Sequence, residues 1–164
     1  MKAVILAAGK GTRMRELTNE LPKPMLKVQG KPILEHILEG IVGAGVQDIF
    51  IVTGHRVEVV ENHFGTGAKW GVRIAFGRQV VQDGTGKAPE PAKEFIGNSP
   101  FLLTYGDILV KPETYPQMIR RFQQADFSGL VTVTRGQDVT KGGLFFFDEQ
   151  FRLKHLVEKP SPAQ

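Results

Sequence analysis

The chain begins with a short apolar segment that ends in a glycine-rich, basic turn. Residues 3–8, which read AVILAA, are apolar and partly β-branched, which is typical of a strand buried on both faces of a sheet. Gly9 and Gly11 flank Lys10, and glycine permits the positive φ angles and close backbone approach that let several N–H groups face one anion. Such a turn constrains the fold, because it is typical of an α/β sheet with an anion site at the carboxyl end of a strand.

Basic residues are concentrated around this turn. Six lie between positions 10 and 31, namely Lys10, Arg13, Arg15, Lys23, Lys27 and Lys31. Two common phosphate motifs are absent here. A Walker A loop needs glycine five positions before its Gly-Lys pair, where Val4 stands, and a dinucleotide fingerprint needs glycine or alanine where Met14 stands.

Segments typical of strands and helices alternate along the rest of the chain. Strands are predicted at 48–53, 72–76, 100–105 and 130–134, and helices from Pro32 to Gly43 or Gly45, over 56–64 and over 113–124. Such alternation with short connections indicates a parallel sheet whose ligands lie beyond the carboxyl ends of its strands. Two further segments, 142–148 and 153–160, are joined by a polar turn and predict an antiparallel hairpin beside that sheet.

Size and composition narrow the class of protein. With 164 residues, 41% of them apolar, one domain over 1–164 is the simplest interpretation. There is no cysteine, which excludes disulfides and cysteine-based zinc sites and is compatible with a cytoplasmic location. No apolar run is long enough to cross a membrane. The net charge of +4 is concentrated near the glycine turn without interleaved aromatic residues, which favours a small polyphosphate ligand over nucleic acid.

Two motifs together resemble the signature of a known family. LAAGKGTRM at 6–14 and LTNELPKPML at 17–26 resemble the sugar-1-phosphate nucleotidylyltransferases, also called NDP-sugar pyrophosphorylases. One departure is Glu16, where family members usually have proline. The resemblance implies an α/β, three-layer Rossmann-like nucleotidyltransferase fold with a mostly parallel sheet and an added antiparallel hairpin. It also implies that NTP and a sugar 1-phosphate react to give an NDP-sugar and pyrophosphate.

The resemblance also implies roles for residues of the first segment. Nucleotide contacts are expected from Leu6, Ala8, Gly9, Gly11 and Thr12. Arg13 would bind the triphosphate and the departing pyrophosphate, and Lys23 would lie nearer the α-phosphate. We expect these two cations to be the catalytic side chains.

A second glycine-rich stretch at 79–88 leads into a short helix and by itself could be a simple connection. In the family, a glutamine followed by a glycine turn holds the nucleobase, and Gln79 and Gly84 match that pattern best. Gln82 is a competing candidate, because the length of such loops varies. A carboxamide suits this role, since it can both donate to and accept from a base edge.

Asp107 follows the predicted strand 100–105 through Gly106, at a position where α/β folds present carboxylates to a ligand cleft. The resemblance agrees, because the family's Gly-Asp pair supplies a ligand for Mg²⁺. The later Glu158-Lys159-Pro160 resembles the family's EKP motif, in which glutamate binds sugar hydroxyls and lysine the sugar phosphate. Gly143 matches a glycine whose backbone faces the sugar.

Several alternatives remain open at this stage. Cytidylyl transfer to an alcohol phosphate such as phosphocholine shares the first motif, and a non-catalytic module could use the same fold. Thymidylyl, uridylyl and guanylyl transfer are all compatible with the sequence, as is a homo-oligomer. Family members usually continue past the EKP motif to a second magnesium-binding aspartate, so we expect 1–164 to lack its C-terminal part and to turn over slowly by itself.

Overall fold

The computed structural model describes residues 1–9, 21–81, 84–135, 138, 142–158 and 160–161. In chain order its strands and α-helices are β1 (Lys2–Leu6), β2 (Lys27–Val28), β3 (Lys31–Pro32), α1 (Ile33–Gly43), β4 (Asp48–Thr53), α2 (Val57–Phe64), β5 (Arg73–Arg78), α3 (Lys93–Ile96), β6 (Phe101–Tyr105), α4 (Thr114–Gln123), β7 (Gly143–Phe147) and β8 (Leu153–Glu158). They fall into two compact units, Met1–Ser128 and Gly129–Gln164. The interpretation of 1–164 as one domain stays a prediction.

A four-stranded parallel sheet is the centre of the first unit. Its spatial order is β5-β4-β1-β6, and every pair of neighbours is parallel. The first strand is therefore an inner strand with a partner on both edges. This agrees with its uninterrupted apolar sequence, because an inner strand of a parallel sheet is covered on both faces.

Helices cover both faces of this sheet. Ala3 and Ile5 of β1 point into a core that includes buried residues of α1, α2 and α4. Val4 and Leu6 point to the other face, where Ala92 of the 3-10 helix Glu90–Ala92 is buried and α3 packs alongside. The predicted α/β class with three layers and a parallel sheet is confirmed for this unit.

The longest of the described helices, α1, has the bounds that its apolar spacing predicts. Leu34, Ile37, Leu38 and Ile41 are fully buried, and each stabilises the fold by roughly 1.5–3 kcal/mol through removal of its side chain from water. The tight β2–β3 hairpin before this helix was not predicted. Its turn residues Gln29 and Gly30 have φ angles of 49° and 83°, as a two-residue hairpin turn requires.

One carboxylate, Glu35 of α1, is buried between helices and has only 4% of its surface exposed. It accepts a hydrogen bond at 2.7 Å from Nε2 of His63 in α2 and one at 3.1 Å from Nζ of Lys69. Burial by itself would raise the pKa of Glu35, but these two partners outweigh it and hold the pKa below the ordinary value of 4.5.

The second unit contains the predicted hairpin, and one prediction about this unit is wrong. Strands β7 and β8 pair antiparallel, with Gly143 opposite Glu158. Residues 130–134, predicted to be a strand, belong to no strand and are exposed. Their β-branched sequence favours an extended backbone, but a strand also needs a hydrogen-bonded neighbour, and none of the described strands pairs with them. None of the described helices is both long and apolar enough to span a bilayer.

Candidate functional site at the carboxyl ends of the strands

The carboxyl ends of β1 and β6 lie against each other. Leu6 is paired with Tyr105, and the backbone N–H of Gly106 donates to the carbonyl oxygen of Leu6 at 2.8 Å. A Cβ atom on Gly106 would lie 3.1 Å from the Cβ of Ala7 and 3.2 Å from the carbonyl oxygen of Leu6. The glycine therefore lets the chain leave β6 close to the end of β1, and Asp107 is the first side chain after it.

The chain after β1 also contacts the end of β4, the strand that pairs with the other edge of β1. The N–H of Ala7 donates to the carbonyl oxygen of Val52 at 2.8 Å. A Cβ atom on Gly54 would lie 2.4 Å from the carbonyl oxygen of Ala8 and 2.9 Å from its Cα. Ala7 and Ala8 are buried, whereas Gly9 is exposed. The glycine-rich turn therefore begins from a backbone segment fixed by contacts on both sides.

An ion pair joins two of the predicted site residues. Nζ of Lys23 donates to Oδ2 of Asp107 at 2.7 Å, across 84 positions of sequence. Lys23 begins the 3-10 helix Lys23–Met25, which is anchored by the buried residues Pro24 and Met25. The two side chains are 34% and 35% exposed, and pairs with this much solvent contact contribute only about 0–1 kcal/mol to stability. The pair is thus a poor stabiliser, but it places an anion-binding and a cation-binding group side by side.

The donor set at Asp107 fits a cation that is shared with a bound ligand. Mg²⁺ takes oxygen ligands and is commonly held by one or two carboxylates together with substrate phosphates and water. Within the described ranges, no three His, Asp or Glu residues are grouped closely enough to hold a metal ion by themselves. Asp107 can therefore supply one ligand, and phosphate oxygens would have to supply others.

Gln79, the predicted base-binding residue, lies at the carboxyl end of β5, which is the edge strand opposite β6. Gln79 directly follows β5, and its N–H donates to the carbonyl oxygen of Thr53 at 2.8 Å. Because the strand order is β5-β4-β1-β6, three inter-strand spacings separate the ends of β5 and β6, a distance on the order of 14 Å. Gly84 is exposed and has a φ angle of 118°, which favours glycine, and Gln82 lies outside the described residues.

The second unit brings together two of the predicted sugar-binding residues. Gly143 pairs with Glu158 across the hairpin, and a Cβ atom on Gly143 would lie 3.6 Å from Oε2 of that glutamate. Both residues are exposed. The predicted residues Gly11, Thr12, Arg13 and Lys159 lie outside the part of the chain that is described, so their roles remain predictions.

Sequence reasoning missed the role of Gly54. The structure shows that a side chain there would collide with the backbone from which the glycine-rich turn starts. A signal was present, because Gly54 directly follows the predicted strand 48–53 as Gly106 follows 100–105. Glycine is favoured where a backbone segment must be approached closely, because it has no Cβ atom.

Known proteins match this chain over almost its whole length. The sequence model described as nucleotidyl transferase matches residues 2–164. A low-salt glycan biosynthesis nucleotidyltransferase of Haloferax volcanii is 32% identical over 161 residues, which are 98% of this chain and 45% of that protein. The mannose-1-phosphate guanylyltransferase catalytic subunit beta of Drosophila pseudoobscura pseudoobscura is 32% identical over 162 residues, which are 97% of this chain and 43% of that protein. The chain thus spans less than half the length of these two curated relatives.

A solved structure supports the assignment of the fold. The crystal structure of a UDP-glucose pyrophosphorylase in complex with UDP-glucose superimposes with a TM-score of 0.80 at 27% sequence identity. The match covers 97% of this chain and 68% of that one. The Rossmann-like fold predicted from the sequence is therefore confirmed.

Proposed function

Because this chain belongs to the nucleotidyl transferase family, we propose that the full protein transfers a nucleoside monophosphate from an NTP to a sugar 1-phosphate and releases pyrophosphate. The named activity of the guanylyltransferase relative is of this kind. Since the chain spans only part of its relatives, the activity is proposed for the whole protein. We propose that it acts in the cytoplasm, where its two substrates would be available.

The observation that carries this proposal is the contact between Lys23 and Asp107. A phosphate-binding ammonium and a cation-binding carboxylate lie 2.7 Å apart at the carboxyl end of β6, although they are 84 positions apart in sequence. Asp107 lies next to the segment from which the glycine-rich turn starts, because the N–H of the preceding Gly106 donates a hydrogen bond to the carbonyl oxygen of Leu6. A polyphosphate accompanied by a divalent cation is the ligand class that suits both groups.

In the proposed reaction, an oxygen of the sugar 1-phosphate attacks the α-phosphorus in line, and pyrophosphate leaves with the electron pair of the broken P–O bond. No general base is needed, because the second pKa of a phosphate monoester is about 6 and the group is mostly a dianion at pH 7. The protein must hold two mutually repelling anions in line and compensate the charge that moves to the leaving group.

The cationic side chains divide this work. Lys23 binds the α-phosphate, Arg13 the triphosphate and the departing pyrophosphate, and Lys159 the attacking phosphate. Asp107 would hold Mg²⁺, which when bound adds positive charge next to the phosphate oxygens. These roles are supported by the family resemblance and, for Lys23 and Asp107, by their contact.

The remaining contacts select the base and the sugar. Gln79 pairs with the base edge, Gly84 leaves room for the nucleotide, Glu158 accepts hydrogen bonds from sugar hydroxyls, and Gly143 lets the sugar approach the backbone. The position of Gln79 beyond β5 and the pairing of Gly143 with Glu158 support this division.

The test is a matrix of nucleoside triphosphates against hexose 1-phosphates, scored by pyrophosphate release in the presence of Mg²⁺. We expect one triphosphate and one sugar phosphate to dominate. Turnover only with CTP and phosphocholine would replace the sugar by an alcohol phosphate. Triphosphate binding without turnover of any pair, in the full-length protein, would contradict the proposal and favour a non-catalytic module.

A further inference from the structure

The two groups of the Lys23–Asp107 pair have different proposed ligands, yet in this structure they bind each other. Lys23 is assigned to phosphate and Asp107 to a cation, and each is the partner of the other at 2.7 Å. We infer, on the basis of the proposed function, that Lys23 holds the carboxylate of Asp107 until a triphosphate draws it away, so that cation binding is coupled to nucleotide binding.

The first step of the argument is electrostatic. A divalent cation that binds Asp107 while the ammonium stays in place would sit within about 5 Å of that ammonium, and the repulsion weakens its binding roughly tenfold even at the dielectric constant of water. The ammonium also takes up one acceptor site of Oδ2 of Asp107, so it competes with a cation for that oxygen. Both effects lower the affinity of Asp107 for a free cation.

The second step concerns which part of Lys23 can move. Its backbone is fixed in the 3-10 helix Lys23–Met25, where Pro24 and Met25 are buried and the carbonyl oxygen of Lys23 accepts a hydrogen bond from the N–H of Leu26. Its side chain, however, is 34% exposed and has a flexible four-carbon stem. The ammonium can therefore change partner by rotation of the side chain, without rearrangement of the main chain.

The third step concerns what frees the carboxylate. A triphosphate offers several negative oxygens to the ammonium, whereas Asp107 offers one carboxylate that is a third exposed. When Lys23 moves to a phosphate, Asp107 loses its cationic partner at the moment when phosphate oxygens become available as further ligands of a cation. By linkage, the factor by which nucleotide strengthens cation binding equals the factor by which the cation strengthens nucleotide binding.

The test measures cation affinity without nucleotide, using Mn²⁺ alone and electron paramagnetic resonance of the free ion. Lys23→Met should bind Mn²⁺ about tenfold more tightly than the unaltered protein. Lys23→Arg keeps the positive charge and should show no gain. The gain should disappear in the double variant Lys23→Met/Asp107→Asn. This loss would show that the cation binds at Asp107.

A matched control exists at the other end of the strands, where β4 and β5 begin. Nε of Arg73 donates to Oδ1 of Asp48 at 2.6 Å, at the amino ends of β5 and β4. Arg73→Met removes one positive charge beside a carboxylate, as Lys23→Met does, but the Lys2 ammonium and the amino terminus remain near Asp48, so Mn²⁺ affinity should be unchanged. An equal gain in both variants, no gain in Lys23→Met, or a gain that survives Asp107→Asn would overturn the inference. If Lys23→Met does not fold, by circular dichroism, Lys23→Gln replaces it with the same expected result.

Failure of this inference can be told from failure of the proposed function by a second titration, in which UTP, dTTP and GTP are added with EDTA present. If at least one of them binds the unaltered protein and Lys23→Met weakens that binding, the proposed phosphate role of Lys23 stands whatever the Mn²⁺ result. If none binds in EDTA, and none binds when the titration is repeated with Mg²⁺ in place of EDTA, both proposals are wrong. In the metal-free titration, Asp107→Asn should strengthen binding of the triphosphate, and this gain should be smaller in the Lys23→Met background.

Discussion

Replacement of Gly54 by alanine should disturb both stability and nucleotide binding. The added Cβ would lie 2.4, 2.9 and 3.0 Å from the carbonyl oxygen, the Cα and the carbonyl carbon of Ala8. Carbon atoms pack at about 3.5–4.0 Å, so the overlap reaches several tenths of an ångström or more. All three atoms belong to backbone, and relief requires movement of the main chain. Overpacking of this kind costs roughly 1–3 kcal/mol.

The assays are thermal and urea unfolding, which give Tm and the free energy of unfolding, together with triphosphate titration. For a protein of this length, a loss of 1 kcal/mol lowers Tm by about 2–4 °C, so Gly54→Ala should melt roughly 2–12 °C below the unaltered protein. Triphosphate affinity should also fall, because the displaced segment leads into the glycine-rich turn. The matched control is Gly43→Ala at the end of α1, where no described atom lies within 4 Å of the added Cβ.

Gly43→Ala should be neutral or stabilising by up to about 1 kcal/mol, because alanine loses less backbone entropy than glycine on folding. A Gly54→Ala protein that is destabilised by less than about 0.5 kcal/mol and binds triphosphate normally would refute the reasoning. In that case the contact between Gly54 and Ala8 would not be what positions the start of the turn.

Three further predictions address transfer, sugar binding and acid stability. Arg13→Ala should lower kcat by about two orders of magnitude without affecting folding, as expected for loss of one transition-state donor; near-normal turnover would remove Arg13 from the mechanism. Glu158→Ala should weaken sugar 1-phosphate binding but leave triphosphate affinity unchanged, and calorimetry that shows equal losses would contradict the assignment. The pKa of Glu35 is lowered in the folded state, so the unfolded state binds more protons in acid and stability should fall as pH drops through that pKa. Urea titrations from pH 7 to about 3 should show this loss, and Glu35→Gln should have a shallower pH dependence.

Much of the first unit is predictable from local sequence. The apolar run of β1 and the 3.6-residue spacing of Leu34, Leu38 and Ile41 are properties of one segment each, so they can be read without knowing the fold. The position of Asp107 after a strand is similarly local. These predictions were correct because each element is buried against the core in the way its own pattern requires.

What could not be predicted depends on contacts between distant segments. The Lys23–Asp107 pair exists because β6 lies next to β1, and strand order is not encoded in either strand alone. The close approach of Gly54 to the backbone of Ala8 likewise depends on β4 lying next to β1. The strand predicted at 130–134 is absent for a related reason. Its residues have the propensity for a strand, but no described strand lies where it could pair with them.

The order of the strands also has a consequence for how specificity can change over evolution. Gln79 follows β5 at one edge of the sheet, whereas Asp107 follows β6 at the other edge, and β4 and β1 lie between these two strands. In the proposed function, the segment after β5 that selects the base and the segment after β6 that holds the cation are thus separate loops of one parallel sheet. Substitutions and length changes after β5 can alter the choice of base while the transfer machinery stays intact, so one ancestral scaffold could give rise to enzymes with different nucleotide preferences.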